Sequence, residues 1–529
     1  MALKLIETAA DSLDMDLGLS RIKNDLQSDF IYAPHLSAVY LLAGNELSTG
    51  LISKLKGGTF EPTLPITIDV PKASGFTRPG SILLPYERLA YQLIVDSLAV
   101  TADENLDRDK VFSDQLLEDD PEGFMFKQAG DCYNAYKNAT REHCQSGNFS
   151  FVLQADIVSH FQNLNQHNLI NLLTASGCDV DIVKFLEKLL STFTEKNSRG
   201  VIQGVSPSDF LGNFSLCSID GQLSVSGFTF ARYVDDINIF FRTERDCMAA
   251  RVKLPRWLRK EGLDLNERKT NILPISRFLQ EETTVERMFD AAKAEMEEEF
   301  GRNDFYRSTI SWDFDWNFDE DREEILRDEE VILEATRLLF DQETDNKTRD
   351  KIDKYCISTF IAASDNYAIN RVMEHFVKKP HLAQVYAKYI QKMIAEGHVQ
   401  INQVEQIIQD QNIIFDYQYM WLYAALMSIE GDISTRTMTL VIRQFNDANF
   451  SPSLRAVNAI FIAKFGTPVQ KRLVKDSYAN EQSEYVKSAI LYAARYFTAA
   501  EKNTCYRAWG GHSELNSLVV IAARRAPTV

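Results

Sequence analysis

The pattern of apolar and polar positions divides the chain into stretches of different texture. Residues 1 to about 60 place apolar side chains three and four apart, a helical spacing that ends in "SKLKGGTF". From Pro62 to Pro85 the chain reads "PTLPITIDVPKASGFTRPGSILLP", β-branched residues broken by proline and glycine, which predicts strands and a loop. "YERLAYQLIVDSLAV" returns to the helical period. "FSFVLQADIVSHF", from Phe149, predicts a strand that ends near Asp156. "NQHNLINLLTASG" and "DIVKFLEKLLSTF" predict two helices, the first stopped by Gly177. "GVIQGVSPSDFLGNFSLCSIDGQL" opens on glycines and a proline and then turns helical. "FTFARYVDDINIFF" has two β-rich halves, as in a hairpin, and "CMAARVKLPRWLRKEGLDLNERKTNILPI" predicts a helix, a turn and a strand. From about Val331 onward amphipathic helical stretches follow one another, with glycine and proline mostly between them. That succession predicts antiparallel helical pairs stacked as a bundle or a HEAT-like solenoid, although no strict repeat consensus stands out.

Composition sharpens this picture. A chain of 529 residues is too long for one ordinary core, and 45% hydrophobic with 25% charged residues is the balance of a soluble globular protein. No run of 18 apolar residues predicts a membrane span, and acids interrupt the N-terminal apolar positions too early for a signal peptide. Seven cysteines are scattered without a CxxC pair, which points to a reducing cytosol rather than a disulfide framework or a zinc site. The net charge of −18 argues against a nucleic-acid binder until it is located. Residues 281–330 hold 19 acids and 6 bases, a net of −13, so the rest of the chain carries only −5 and has room for a local basic groove. The acidic segment itself reads as a solvated face or linker.

The candidate chemistry is carboxylate chemistry. Asp156 ends one predicted strand, and Asp235 and Asp236 sit together in the predicted hairpin. An adjacent acid pair is common in a plain turn. Carboxylates brought together from different strands are also what hard divalent cations require, and two-metal phosphoryl transfer uses such a set.

"YVDD" (Tyr233 to Asp236), with "ADIVSHF" upstream and "QGVSPSDFLGN" between, resembles the palm motifs of reverse transcriptases in order and spacing. The intervening motif matches at Gln203, Gly204, Ser208, Leu211 and Asn213. "GLDLNERKT", ending at Lys269 and Thr270, is similar to the next palm motif, "FLQ" (Phe278 to Gln280) to the turn after it, and "KASGFTRP" (Lys72 to Pro79) to an upstream fingers motif. The resemblance implies an α+β fingers and palm domain over 1–285. An acidic connecting segment would cover 286–330, and an all-α HEAT-like domain over 331–529 would replace a conventional thumb.

It further implies that Asp156 and Asp235 hold two Mg2+ ions, with Mn2+ as a substitute, together with the main chain at Ile157, and that Asp236 supports them. Lys72 and Arg78 would contact the triphosphate, Gln203 and Gly204 would line the nucleotide pocket, and Lys269 would neutralise or protonate the leaving diphosphate. Phe161 falls where the family places an aromatic steric gate against ribonucleotides. It also fits an apolar packing site, just as Lys72, Arg78 and Lys269 fit solvated surface bases. His160 stands where many relatives have an aromatic, and Ile202 and Asp209 stand where prolines are usual.

A reverse transcriptase-like half followed by a helical half resembles the bacterial abortive-infection class, including AbiK-like and prophage-borne members. That resemblance implies cytoplasmic, template-independent synthesis of single-stranded DNA from deoxynucleoside triphosphates. It also implies attachment of the DNA to a tyrosine that no motif identifies, a homo-oligomer with no membrane partner, and arrest of phage growth. A template-copying retron-like or intron-like polymerase and a non-catalytic scaffold of the same fold are the competing expectations.

Overall fold

The computed structural model describes residues 3–527 except 6, 27–28, 118–119, 121–122, 282–329, 343 and 345. The acidic segment read over 286–330 therefore lies almost wholly outside the described residues.

Among the described residues two antiparallel sheets carry the strands. β1 (Ile66–Pro71) and β2 (Thr77–Ile82) form a two-stranded hairpin with Val70 opposite Arg78. β3 (Phe151–Asp156), β4 (Thr229–Tyr233), β5 (Asp236–Phe241) and β6 (Asn271–Pro274) form a second sheet in the order β4-β5-β3-β6. Strand side chains alternate between faces, so each face of this sheet can be read from the sequence. Leu153, Ala155, Ile237, Ile239 and Phe241 face the helices Cys217–Val225 and Glu244–Lys260, which supply Ile219, Leu223, Cys247, Ala250, Leu254 and Leu258. Val152, Ala231, Tyr233 and Phe240 face the helix Ala129–Gln145, through Cys132, Tyr136 and Cys144. Phe278, read as part of a turn, is buried in the short helix Ile275–Glu281 instead.

Helices dominate beyond residue 330. From Thr435 each α-helix starts behind a Ser or Thr whose hydroxyl accepts a backbone N–H: Ser434, Ser451, Thr467, Ser483, Thr498 and Ser513. Each such cap contributes about 1 kcal/mol. The helices make two rows. Asn346–Ala362, Ala383–Ala395, Asp416–Leu426, Pro452–Phe465, Glu484–Ala493 and Glu514–Arg525 pack on one another in succession. Shorter or more polar helices lie between them in sequence and outside them in space. The middle of the inner row is apolar nearly all round ("MWLYAAL", "VNAIFIA"), as a helix covered on every side must be.

The row closes onto the N-terminal part of the chain. Glu514–Arg525 packs against Pro34–Leu42, and Asp416–Leu426 and Pro452–Phe465 lie against β1. One apolar core runs without a break from the N-terminal helices and the buried helix Pro85–Asp103 into the helical half. Among the described residues no helix is long and apolar enough to cross a membrane.

His35 lies at this junction, fully buried, its ring edge-on to Tyr485 at 4.7 Å and both ring nitrogens without a hydrogen-bond partner. Burial lowers its pKa from 6.5 to about 3. The unfolded chain takes up this proton near pH 6.5 while the folded chain refuses it, so stability is lost as pH falls below 6.5. Between pH 7 and pH 5 this costs about 2 kcal/mol, at ~1.4 kcal/mol per unit. A His35→Phe variant is expected to lose correspondingly less stability over that interval, as measured by denaturant unfolding at the two pH values.

Candidate functional site

Along β3 and β5 one face grades from apolar to charged. Val152 pairs with Phe240, Gln154 with Asn238, and Asp156 with Asp236. Directly opposed residues hold their Cβ atoms about 4.5–5.5 Å apart, so the two carboxylates are brought together by register. Tyr233 also pairs with Asp236, which leaves Val234 and Asp235 as a two-residue turn. Asp156 is 8% exposed, Asp235 half-buried, and Asp236 open to solvent.

The carboxylates repel one another. Asp235 is pushed above the usual carboxylate range by burial and then by the charge of Asp156. Asp236, although open to solvent on one side, rises to about 6 through desolvation, Asp235 and Asp156, with Lys269 opposing. Lys269 is the cation bonded to the set, its Nζ donating to Asp156 Oδ1 at 2.7 Å, while Arg232 also acts on Asp235 and Lys351 on Asp236. Burial alone would lower the Lys269 pKa, but the bond and charge of Asp156 outweigh it and hold the ammonium protonated.

Among the described residues no group of three or more His, Cys, Asp or Glu side chains is arranged to hold a metal ion as it stands. The donor set nevertheless suits a hard divalent cation: three carboxylates from two strands and a turn, short of positive charge, with one of them turned onto a lysine. The Ile157 main chain bridges to Leu265, and the next amide, Val158, donates to Asp264 O at 2.9 Å. The backbone just after Asp156 is thus tied to the 264–266 loop, and the Val158 N–H is not open toward a ligand.

The other residues singled out from the sequence surround this point unequally. Phe161 is half-buried with its ring over Gly212; a Cβ on that glycine would lie 2.6 Å from Cε1 of Phe161. Its neighbour His160 is buried, with Nε2 3.0 Å from Ser215 Oγ, and burial lowers its pKa to about 3. Gln203 lines a cavity of about 500 Å³ between the β1–β2 hairpin and the 194–203 loop, with Thr67, Pro79, Ser81 and Arg199. Gly204 has φ +94°, and a Cβ there would strike Phe30 at 2.7 Å. Both facts require glycine.

Arg78 stacks on the same Phe30 ring, 4.4 Å from its centroid, with Nε buried and without a hydrogen-bond partner. Burial lowers its pKa, against the pull of Tyr417 and Asp209. Lys72 stands exposed at the hairpin tip, where its N–H closes the turn on Phe76 O.

Three participants were not evident in the sequence. Phe30 touches both Gly204 and Arg78 but lies outside every motif. Gly212 seats the Phe161 ring. The helix Ala129–Gln145 supports the hairpin through Tyr133, whose ring meets Tyr233 edge-on at 5.1 Å, and Tyr136, whose hydroxyl accepts from Asn238. Its buried stripe of Cys132, Tyr136, Thr140 and Cys144 repeats every four residues. That spacing was the available signal.

Residues 70–287, fewer than half of the chain, match the family described as "Reverse transcriptase (RNA-dependent DNA polymerase)". This stretch is similar to that family and contains every site residue read from the sequence. Among solved structures, telomerase from Candida albicans in complex with a TWJ fragment of telomeric RNA is similar at 10% identity and a TM-score of 0.30, over 74% of this chain and 66% of that one. Apo telomerase from Candida tropicalis is similar at 12% identity and a TM-score of 0.30, over 73% and 72%. A comparison with curated proteins finds no match.

Proposed function

We propose that this protein is a magnesium-dependent DNA polymerase of the reverse transcriptase type that extends DNA without an instructing template. In this reading synthesis starts from a tyrosine hydroxyl of the protein, which acts as a homo-oligomer in abortive infection and arrests phage growth. The observation that carries the polymerase reading is the register of Asp156 opposite Asp236 with Asp235 in the adjoining turn, inside the stretch similar to reverse transcriptases. In this reading the helical half is a HEAT-like array, and its row of successively packed helices supports the abortive-infection reading.

In the reaction a hydroxyl oxygen attacks the α-phosphorus of a deoxynucleoside triphosphate and gives up its proton to solvent, a new P–O bond forms, and the bond to the β-phosphate breaks to release diphosphate. Asp156 and Asp235, with Asp236 beside them and the Ile157 main chain as a further donor, would hold divalent ions, which would supply charge stabilisation in the transfer. Lys269 is protonated and largely exposed, so it can swing from Asp156 to the departing diphosphate and donate a proton. Gly204 lets a nucleotide approach the backbone closely, and the Arg78 guanidinium offers a planar phosphate donor. The untemplated reading is supported by what surrounds these two residues. Phe30 lies against both, Tyr417 of the helical half is close to Arg78, and helical-half elements lie against β1.

If the Phe161 ring abuts the sugar, Phe161→Ala raises ribonucleotide use relative to deoxynucleotide use by about tenfold or more. Competition assays with paired nucleotides measure this, and unchanged discrimination assigns the ring to packing on Gly212 alone. The function as a whole is tested by incubating purified protein with all four deoxynucleotides and no added nucleic acid, followed by intact mass spectrometry. Protein carrying covalent oligonucleotide is the expected result. Polymer that forms only when template and primer are supplied supports a template-copying enzyme instead, the reading favoured by the RNA-dependent family match.

A further inference from the structure

We infer that Arg232 is a positioning residue that clamps the acid-bearing turn to the helix bounding the nucleotide pocket, an inference that rests on the polymerase reading. Arg232 sits on β4 with no solvent exposure at all. A buried guanidinium is stable only when its donors are satisfied, and here all five N–H groups are. Nε and Nη2 reach the two oxygens of Asp220 at 2.8 and 2.5 Å. A merely structural ion pair would end there. The other three bonds go to Asn213 Oδ1 at 2.7 Å, Asn213 O at 3.2 Å and Val234 O at 2.9 Å.

Val234 explains why the turn needs holding. It precedes Asp235 and has φ +50°, the left-handed region that a β-branched side chain rarely enters. Both of its backbone polar groups are gripped: the carbonyl by Arg232, and the N–H by Ser113 Oγ at 2.9 Å. Ser113 Oγ donates in turn to Asn213 Oδ1 at 3.0 Å, and Asn213 Nδ2 donates to Ser113 O at 2.8 Å. The circuit Arg232–Asn213–Ser113–Val234 is closed. Asn213 lies on the helix Ser206–Ser215, which also carries Gly212 beneath Phe161. The clamp thus fixes the turn that aims Asp235 and Asp236 and references it to the wall of the nucleotide pocket. Releasing it lets Val234 relax toward ordinary φ and swings Asp235 away from Asp156.

The test is steady-state incorporation by Arg232→Lys, Ser113→Ala and Val234→Gly, alone and with Val234→Gly combined with each of the others. Lysine keeps the charge but cannot make the fork. Arg232→Lys is expected to lower kcat about tenfold to a hundredfold with the nucleotide KM unchanged, the pattern of a misaimed catalytic group. Its Mg2+ activation midpoint shifts upward. Adding Val234→Gly, which accepts φ +50° without a clamp, recovers most of the loss. Ser113→Ala leaves the Arg232–Asp220 pair intact and shows a smaller loss of the same kind with the same rescue, so it carries the test if Arg232→Lys fails to fold. Wild-type kcat in Arg232→Lys, a loss confined to KM, or a loss that Val234→Gly does not relieve in either background overturns the clamp. Wild-type protein that makes no polymer under any condition overturns the polymerase reading itself.

Discussion

An Asp235→Asn, Asp236→Asn double variant is expected to lose deoxynucleotide incorporation by about a thousandfold or more, ~4 kcal/mol of transition-state stabilisation. In chelator it is expected to melt at a higher temperature than wild type. The two outcomes share a cause. Register places Asp156 and Asp236 opposite each other and the turn adds Asp235, so burial and then the neighbouring charges raise the proton affinities of Asp235 and Asp236. A carboxyl whose folded pKa is raised binds its proton more tightly in the folded chain. The penalty of keeping it ionised is fully present above about pH 6 and fades as pH falls through that value. Asparagine removes the penalty at every pH and removes the cation donors with it. Differential scanning fluorimetry in chelator across pH 5 to 8, beside an incorporation assay, measures both effects. A double variant that melts below wild type at pH 8, or that retains incorporation, contradicts this account.

The second large effect concerns the junction of the two halves. Arg88 is 3% exposed and donates to Asp29 at 2.7 Å and to Asp25 at 3.2 Å. Asp25 also accepts from the N–H and hydroxyl of Ser206, the first residue of the helix that carries Gly212. Gln384 of the helical half donates to Asp29 O. The Arg88 cluster thus ties the N-terminal segment, the helix Ser206–Ser215 and the helical half together. Arg88→Leu takes the bonded cation from the buried Asp29 and is expected to cost about 3–5 kcal/mol, the usual penalty for breaking a buried pair from one side. Burial raises Asp29 to about 6 even against the pull of Arg88; without Arg88 the carboxyl takes up its proton at still higher pH, so the deficit shrinks as pH falls toward about 6. Chemical unfolding of both proteins at pH 7.5 and pH 5.5 measures this. A deficit under ~1 kcal/mol, or one that grows in acid, contradicts the buried-pair argument.

Some of this architecture was legible in the chain and some was not, for identifiable reasons. The hairpin was legible because Ile237, Ile239 and Phe241 alternate against Asn238 and Phe240 and bracket the acids. The helical half was legible because its caps and apolar stripes are local. The helix Ala129–Gln145 escaped because Cys, Tyr and Thr, rather than aliphatic residues, make its buried stripe. Arg232 escaped because an arginine between Ala231 and Tyr233 in a hairpin reads as solvent-facing; its partners lie on separate elements, which only the folded chain assembles. Phe30 carries no motif, and its meaning depends on Gly204 and Arg78 arriving beside it. The apolar character of "MWLYAAL" signalled burial, but not that β1 lies against that helix.

The central claim is that Asp156, Asp235 and Asp236 form a metal-dependent nucleotidyl-transfer site. It is tested most directly by counting labelled deoxynucleotide incorporated by the purified wild-type protein with Mg2+ or with chelator, with and without added template and primer. The account predicts polymer with Mg2+, none with chelator, and none from the Asp235→Asn, Asp236→Asn variant. Wild-type protein that incorporates nothing in any arm, or a double variant that incorporates as wild type does, would contradict it.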